Sequence, residues 1–306
     1  MTSRTLVLDI KENSLDDGPG IRSVIFFKGC PLACSWCHNP ESRRRCVELS
    51  HDVTECIGTC DACVRICPRN AIARENTFFI DRERCDLCFE CTPVCPSNAL
   101  TRVGVAMDEA DILQRVLKDK PFYEQSGGGV TLSGGEPTLQ MEFVSGLART
   151  LKQESIAILL ETCGHFDLER FDALLYPWLD AIYFDLKLYD SDEHRRWCGV
   201  PNRVILDNFT DLHERSVRGG VRVLPRIPLI PNVTATETNL RGLAGFLRRR
   251  GVGHARLLPY NPTWIEKMAT IGMPRPVDTD PAWRRWMTRA ETRRCEAIFR
   301  AAGISV

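Results

Sequence analysis

From residue 107 onward, short apolar blocks alternate with longer stretches of helical pattern, and this alternation is the first organised feature of the chain. The blocks at 130–133, 156–161, 181–185, 221–227 and 255–259 are largely apolar and of strand length. The stretches around them predict helices over 108–118, 141–153, 168–176, 203–218, 236–250 and 281–302. An apolar run at 23–28 supplies one earlier strand, giving six strand–helix units. Repeated strand–helix units predict a parallel sheet. Six are too few to close an eight-stranded barrel, so the expected class is α/β, a partial (β/α)6 barrel. Such sheets carry their chemistry in the loops after the C-terminal strand ends, and candidate residues are sought there.

Between 46 and 104 the pattern changes. This stretch is dense in cysteine, contains the pairs Cys67-Pro68 and Cys95-Pro96, and has little apolar periodicity. It is expected to be an inserted module with a metal core, leaving 1–45 and 105–306 for the barrel. The longest apolar runs, such as 156–160, fall far short of the roughly 20 residues of a membrane helix, and no secretory h-region opens the chain. The expectation is a cytoplasmic protein without a membrane partner. Hydrophobic residues at 43% and charged residues at 26% fit a globular chain. Forty Lys and Arg balance forty Asp and Glu, so charge gives no reason to expect nucleic acid; the basic runs 43–45 and 248–250 read as solvated.

Fifteen cysteines are far more than a reducing compartment needs, because disulfides rarely persist there, and thiolates kept in such number point to metal. Eleven fall into three groups between 30 and 95. Cys163, Cys198 and Cys295 lie apart and read as buried hydrophobes. His165, His194, His213 and His254 form no ligand-spaced set, and Trp283 and Trp286 read as packing residues of the last helix.

The first group, Cys30-x3-Cys34-x2-Cys37, can hold three irons of a cubane and leave the fourth open to a ligand. Zinc is the alternative, but His38 is poorly placed to complete its tetrahedron. The other groups are Cys56-x3-Cys60-x2-Cys63-x3-Cys67 and Cys85-x2-Cys88-x2-Cys91-x3-Cys95. The last matches the bacterial ferredoxin run, whose fourth cysteine ligates the other cluster. By that rule Cys56, Cys60, Cys63 and Cys95 take one cluster, and Cys85, Cys88, Cys91 and Cys67 take the other. Cys46 is an alternative to Cys56, and a pair of four-thiolate zinc sites is an alternative to both clusters.

The CxxxCxxC loop, with Trp36 before its last cysteine, resembles the radical S-adenosylmethionine (SAM) superfamily. Further motifs make the resemblance narrower. Asp17-Gly-Pro-Gly-Ile-Arg22, His38-Asn-Pro-Glu-Ser42, Gly134-Gly135-Glu136, Asp185-Leu186-Lys187, Arg226-Ile-Pro-Leu-Ile-Pro231 and Leu258-Pro-Tyr260 are together similar to the glycyl-radical-enzyme activating enzymes. The pyruvate formate-lyase activase type is the best-known form, and this chain resembles its longer relatives with a ferredoxin-like insert. The resemblance implies three [4Fe-4S] clusters, SAM, a glycyl radical enzyme as protein substrate, and flavodoxin or ferredoxin as reductant. It implies that the Cys30, Cys34 and Cys37 cluster cleaves SAM and that Gly134, Gly135 and Glu136 bind the amino group. Asp185, Leu186 and Lys187 would meet the ribose or carboxylate, Trp36 to His38 the adenine side, with Arg226 and Asn261 as further contacts. Many relatives have His where this chain has Asn261, an amide that cannot titrate near neutrality. A monovalent cation held by Glu161, Thr162, the Tyr183 carbonyl and Asp185 is implied too. The rival readings are a radical SAM enzyme acting on a small molecule or modifying a peptide in another way, and a ferredoxin-like electron carrier.

Overall fold

A computed structural model describes residues 4–274 and 280–306. Its strands are β1 (Thr5–Ser14), β2 (Arg22–Phe27), β3 (Glu48–His51), β4 (Leu100–Val103), β5 (Val105–Met107), β6 (Gly129–Gly134), β7 (Ala157–Thr162), β8 (Ala181–Asp185), β9 (Arg222–Leu229) and β10 (Arg256–Pro259). The helices are α1 (Ala62–Ile66), α2 (Glu109–Val116), α3 (Lys120–Ser126), α4 (Met141–Gln153), α5 (Leu168–Leu174), α6 (Ser191–Cys198), α7 (Arg203–Val217), α8 (Glu237–Arg249), α9 (Trp264–Thr270) and α10 (Arg289–Ala301). One eight-stranded sheet runs in the order β10, β9, β8, β7, β6, β2, β1, β5. Its six strands from β2 to β10 are parallel and stand in chain order, so the expected six-unit α/β sheet is present.

The central strands form where the sequence is apolar on both faces: five of the six residues of β6 are buried, and Ile158, Leu159 and Leu160 of β7 are buried in succession. Helices α4, α7 and α8 bury Val144, Leu147 and Leu151, Phe209 and Leu212, and Leu243 and Leu247 against that sheet. Arg22 fastens the early strands together. Its fully buried guanidinium donates to Thr131 Oγ1 at 2.7 Å, to the Val130 carbonyl at 2.7 Å and to the Ala157 carbonyl at 3.1 Å. Burial without a carboxylate partner pulls its pKa down to about 10.

Several elements differ from the sequence expectation. The strand β1 was not expected; it pairs antiparallel with β2 and β5, and its interior carries Asp9, Lys11 and Glu12, which hide the strand pattern. Short α3, α6 and α9 were also missed. The helix expected over 281–302 is interrupted: a 3-10 turn covers Pro281–Arg284, Arg285 is extended, and α10 starts afresh at a capping box between Thr288 and Glu291. Trp283 is therefore buried outside that helix, while Trp286 is exposed.

Residues 48–103 form a small unit with β3 and β4 paired antiparallel at its base. It has an apolar cluster of its own, Leu49, Ile72, Ile80 and Leu100 packed with Cys63 and Cys91. A buried ion pair joins it to the main sheet: Lys28, next after β2, meets Glu48 Oε2 at 2.9 Å.

Candidate active site

Six parallel strand ends open into one cavity of about 610 Å³, within the size range of small-molecule sites. The loop after β2 contributes Cys30, Cys34, Trp36, Cys37 and His38. It is closed on itself, because the Gly29 N–H donates to the Ser42 carbonyl at 2.6 Å and the Cys30 N–H to the Arg43 carbonyl at 3.0 Å. It is also held from outside by the end of α6, where the Ala33 N–H donates to the Cys198 carbonyl at 2.8 Å. The three thiols are near enough for Cys37 to feel both Cys34 and Cys30, and burial pushes the Cys37 thiol up to about 12.

The loop after β6 brings Gly134 and Gly135 against the cysteine loop. A Cβ on Gly135 would lie 2.2 Å from the Gly29 carbonyl oxygen, and Gly134 adopts φ +107° with a Cβ position 2.3 Å from the Phe27 nitrogen. Only glycine allows that approach. Glu136 does not line the cavity. It is fully buried, and its carboxylate accepts from Thr138 N–H and Oγ1, Thr162 Oγ1 and Cys163 N–H, at 2.7 to 3.2 Å. Of the Gly-Gly-Glu triplet the glycines face the cavity, and the acid holds the floor beneath it.

The ends of β7, β8 and β9 carry a charged network. Arg226 donates to Glu161 Oε1 and, at 2.8 Å, to Asp185 Oδ1; Asp185 Oδ2 also accepts from Lys187 Nζ at 3.3 Å. Burial alone would raise the Asp185 pKa, but Arg226 and Lys187 outweigh it and hold the carboxyl below its usual range. Burial likewise opposes the charge on Lys187, and Asp185 with the thiols of Cys34, Cys163 and Cys198 outweighs it in the other direction. Burial lowers His38 to about 4, Lys267 adding to the effect.

The candidate cation ligands are thereby redistributed. Glu161 and Asp185 are bridged by Arg226, the Thr162 hydroxyl donates to Glu136, and the Tyr183 ring lies under the Arg226 guanidinium at 5.3 Å. Leu186 points into the core rather than the cavity. Asn261 lines the cavity, its amide oxygen accepting from Thr263 Oγ1 at 2.7 Å.

Sequence reasoning missed several residues here. Asp16 and Asp17, in the turn after β1, reach the cavity. Cys163 and Cys198 are buried, as expected, but the cluster they share also contains Cys34, with Cys30 and Cys37 packed on its edge, so they stand against the cysteine loop. The position of Cys163 directly after a strand was a usable signal; polar α6 gave none for Cys198.

In the 48–103 unit the cysteines face each other across the two runs. Cys63 is in electrostatic contact with Cys95 and Cys60, and Cys91 with Cys85, Cys88 and Cys67. Among the described residues no three His, Cys, Asp or Glu side chains converge on one point as a single ion requires. A cubane, which places each thiolate on a different iron, sets no such condition.

A partial βα sheet whose first loop presents three cysteines to a pocket at the strand ends is the arrangement of a radical SAM protein, and residues 82–240 match the Radical SAM superfamily. A radical SAM methyltransferase from Sphaerobacter thermophilus shares the fold, at TM-score 0.52 and 18% identity over 100% of this chain and 76% of that one. The chain is 38% identical to an isethionate sulfite-lyase activating enzyme of Nitratidesulfovibrio vulgaris, covering 86% of each. It is 38% identical to a trans-4-hydroxy-L-proline dehydratase activating enzyme of Clostridioides difficile, covering 84% of each. It is 36% identical to a choline trimethylamine-lyase activating enzyme of Oleidesulfovibrio alaskensis, covering 97% of this chain and 95% of that one. The chain belongs to the glycyl-radical-enzyme activating enzymes of the radical SAM superfamily. It is an enzyme that generates a radical from SAM with a [4Fe-4S] cluster.

Proposed function

We propose that Cys30, Cys34 and Cys37 hold the cluster that cleaves SAM, and that the cavity above them seats SAM beside the glycine loop of a glycyl radical enzyme. The observation that carries this reading is the convergence of three thiols, the Gly134–Gly135 turn and the Asp185–Lys187 pair on one cavity. Three thiolates on a short loop fit a cubane with one open iron. When bound, that cluster supplies the electron that splits the SAM sulfonium into methionine and a 5′-deoxyadenosyl radical, which takes hydrogen from the partner's glycine Cα.

The chain's own side chains then have distinct tasks. Lys187 presents an ammonium to the SAM carboxylate, held in place by Asp185. The Gly134 and Gly135 backbone accepts from the amino group, while Trp36 and His38 form the adenine wall. Arg226 bridges Glu161 and Asp185 and so holds both carboxylates at the strand ends, where with Thr162 and the Tyr183 carbonyl they remain the candidate ligands of a monovalent cation.

The 48–103 unit is read as a ferredoxin-like insert with two further [4Fe-4S] clusters, one on Cys56, Cys60, Cys63 and Cys95 and one on Cys85, Cys88, Cys91 and Cys67. The cross-run contacts Cys63 to Cys95 and Cys91 to Cys67 support this crossed assignment. Its role is to relay electrons from flavodoxin or ferredoxin in the cytoplasm. The relatives are named for partners that cleave C–S, C–O and C–N bonds, at near-equal identity. These names support a glycyl radical enzyme as partner and favour no single one among them.

The test is anaerobic. The protein is reconstituted with iron and sulfide, reduced, and given SAM with and without a candidate glycyl radical enzyme. Formation of 5′-deoxyadenosine, about twelve irons per chain and a glycyl radical signal on the partner support the reading. Deoxyadenosine without radical on any partner would favour a small-molecule substrate. Filled clusters without deoxyadenosine would leave an electron carrier.

A further inference from the structure

Beyond β8 the chain is held by side chains instead of by the sheet. β8 ends at Asp185, the Leu186 N–H donates to the Arg226 carbonyl at 2.9 Å, and residues 187–190 then run without helix or strand. Lys187 lies on that stretch and lines the cavity. Two buried carboxamides, Asn239 and Asn202, exposed by 8% and 2%, brace it. Asn239, in the first turn of α8, donates to the Lys187 carbonyl at 3.1 Å, and its side-chain oxygen accepts from the Tyr189 N–H at 2.8 Å. Asn202 donates to the Leu188 carbonyl at 2.7 Å and to the Tyr189 carbonyl at 2.9 Å. Asn202 stands at the N-cap of α7, where an Asn side chain ordinarily accepts from the first-turn N–H groups, yet it makes no such bond. Asn239 also donates to the Thr234 carbonyl at 2.8 Å, in the loop after β9 whose Ile230 lines the same cavity. A Cβ on Gly242 would lie 2.7 Å from the Tyr189 ring, so α8 sits directly on the braced stretch.

We propose that Asn239 and Asn202 are positioning residues for SAM binding, fixing the backbone of residues 187–189 so that Lys187 presents its ammonium where the SAM carboxylate lies. This rests on the reading of Lys187 as the carboxylate contact. Ordering a lysine side chain costs conformational entropy, and the cost at binding falls when the chain is already fixed at its root. Asp185 orients the far end of Lys187 at 3.3 Å, and the two carboxamides fix the near end. Buried carbonyls need donors, and these side chains supply them for a single course of the chain. Asn239 bonds the stretches after β8 and after β9 at once, so it sets Lys187 relative to the Ile230 side of the cavity.

The experiment is a double-mutant cycle on SAM affinity, measured by equilibrium dialysis with oxidised full-length protein of matched iron content. Asn239→Ala and Asn202→Ala should each weaken SAM binding about 3- to 30-fold in the wild-type background. In the Lys187→Gln background, where no ammonium remains to be placed, the same changes should weaken it by no more than about twofold. A general structural role would weaken binding equally in both backgrounds, and equal losses would overturn the proposal. So would unchanged affinity in both Ala variants. Asn239→Leu, which fills the volume of the amide without its bonds, takes the place of Asn239→Ala if that variant loses iron or fails to fold. Lys187→Gln alone tests the underlying reading. SAM bound there as tightly as by wild type would remove Lys187 from the carboxylate and the proposal with it, whereas equal losses beside a weakened Lys187→Gln would leave that reading standing.

Discussion

Lys187 is the side chain on which electrostatics and ligand geometry converge, being nearly buried, paired with Asp185 and directed to the cavity. Lys187→Gln removes one charge-assisted hydrogen bond to a bound carboxylate, worth about 1.5–3 kcal/mol. SAM should bind about 10- to 100-fold more weakly, measured by equilibrium dialysis with oxidised protein, where no cleavage competes. His194 offers a second test at this scale. Burial pulls its pKa from 6.5 down to about 4, and nearby Lys187 adds to the effect, while Nδ1–H donates to the Val200 carbonyl at 2.6 Å. Its folded pKa lies below the unfolded one, so the stability this brings is complete above pH 6.5 and is lost as pH falls toward 4. Between pH 7 and 5 the loss is about 2 kcal/mol, and anaerobic urea unfolding of His194→Gln should show a correspondingly flatter pH dependence than wild type. The cysteine groups were legible in the sequence because their spacing along one loop already fixes which thiols meet. The Arg226 bridge to Glu161 spans 65 residues and the Ser35 contact with Trp197 spans 162, and no local spacing encodes either.

Among the elements, the β6 end tests how closely two loops must approach. Gly134→Ala forces a Cβ into the β2 backbone at a positive φ and should destabilise by about 2 kcal/mol or more, with cluster content falling alongside as the cysteine loop is pushed aside. Thermal unfolding and iron content measured together check both effects. The inner strands β7, β8 and β9 were readable because they are apolar over most of their length, and helices α4, α7 and α8 because each carries one continuous apolar face. By contrast, the burial of β1 follows no simple alternation along its charged half, and α6 is mostly charged, buried only at His194 and Cys198. Tertiary position, not composition, makes those two segments regular. The break before α10 was legible in principle: Thr288 and Glu291 stand three apart, the spacing of a capping box.

For the whole molecule, the question is how the 48–103 unit is joined to the barrel and within itself. Lys28 and Glu48 are both buried, and Lys28 Nζ also reaches the Glu41 carbonyl, so the pair ties the cysteine loop and β3 to the end of β2. Lys28→Met leaves Glu48 only its half-exposed partner Arg44, at 3.2 Å, and should cost about 1.5–3 kcal/mol, read as a lower unfolding midpoint. Crossed ligation makes a sharper prediction, because it pairs each fourth cysteine with the other run. Cys60→Ala and Cys95→Ala should each remove the same cluster, about four of twelve irons, and the double variant should lose no more than either alone. Cys88→Ala combined with Cys95→Ala should instead remove two clusters, about eight irons. Uncrossed ligation inverts both results, since Cys88 and Cys95 would then serve one cluster, and iron counts on these four variants decide between the two arrangements.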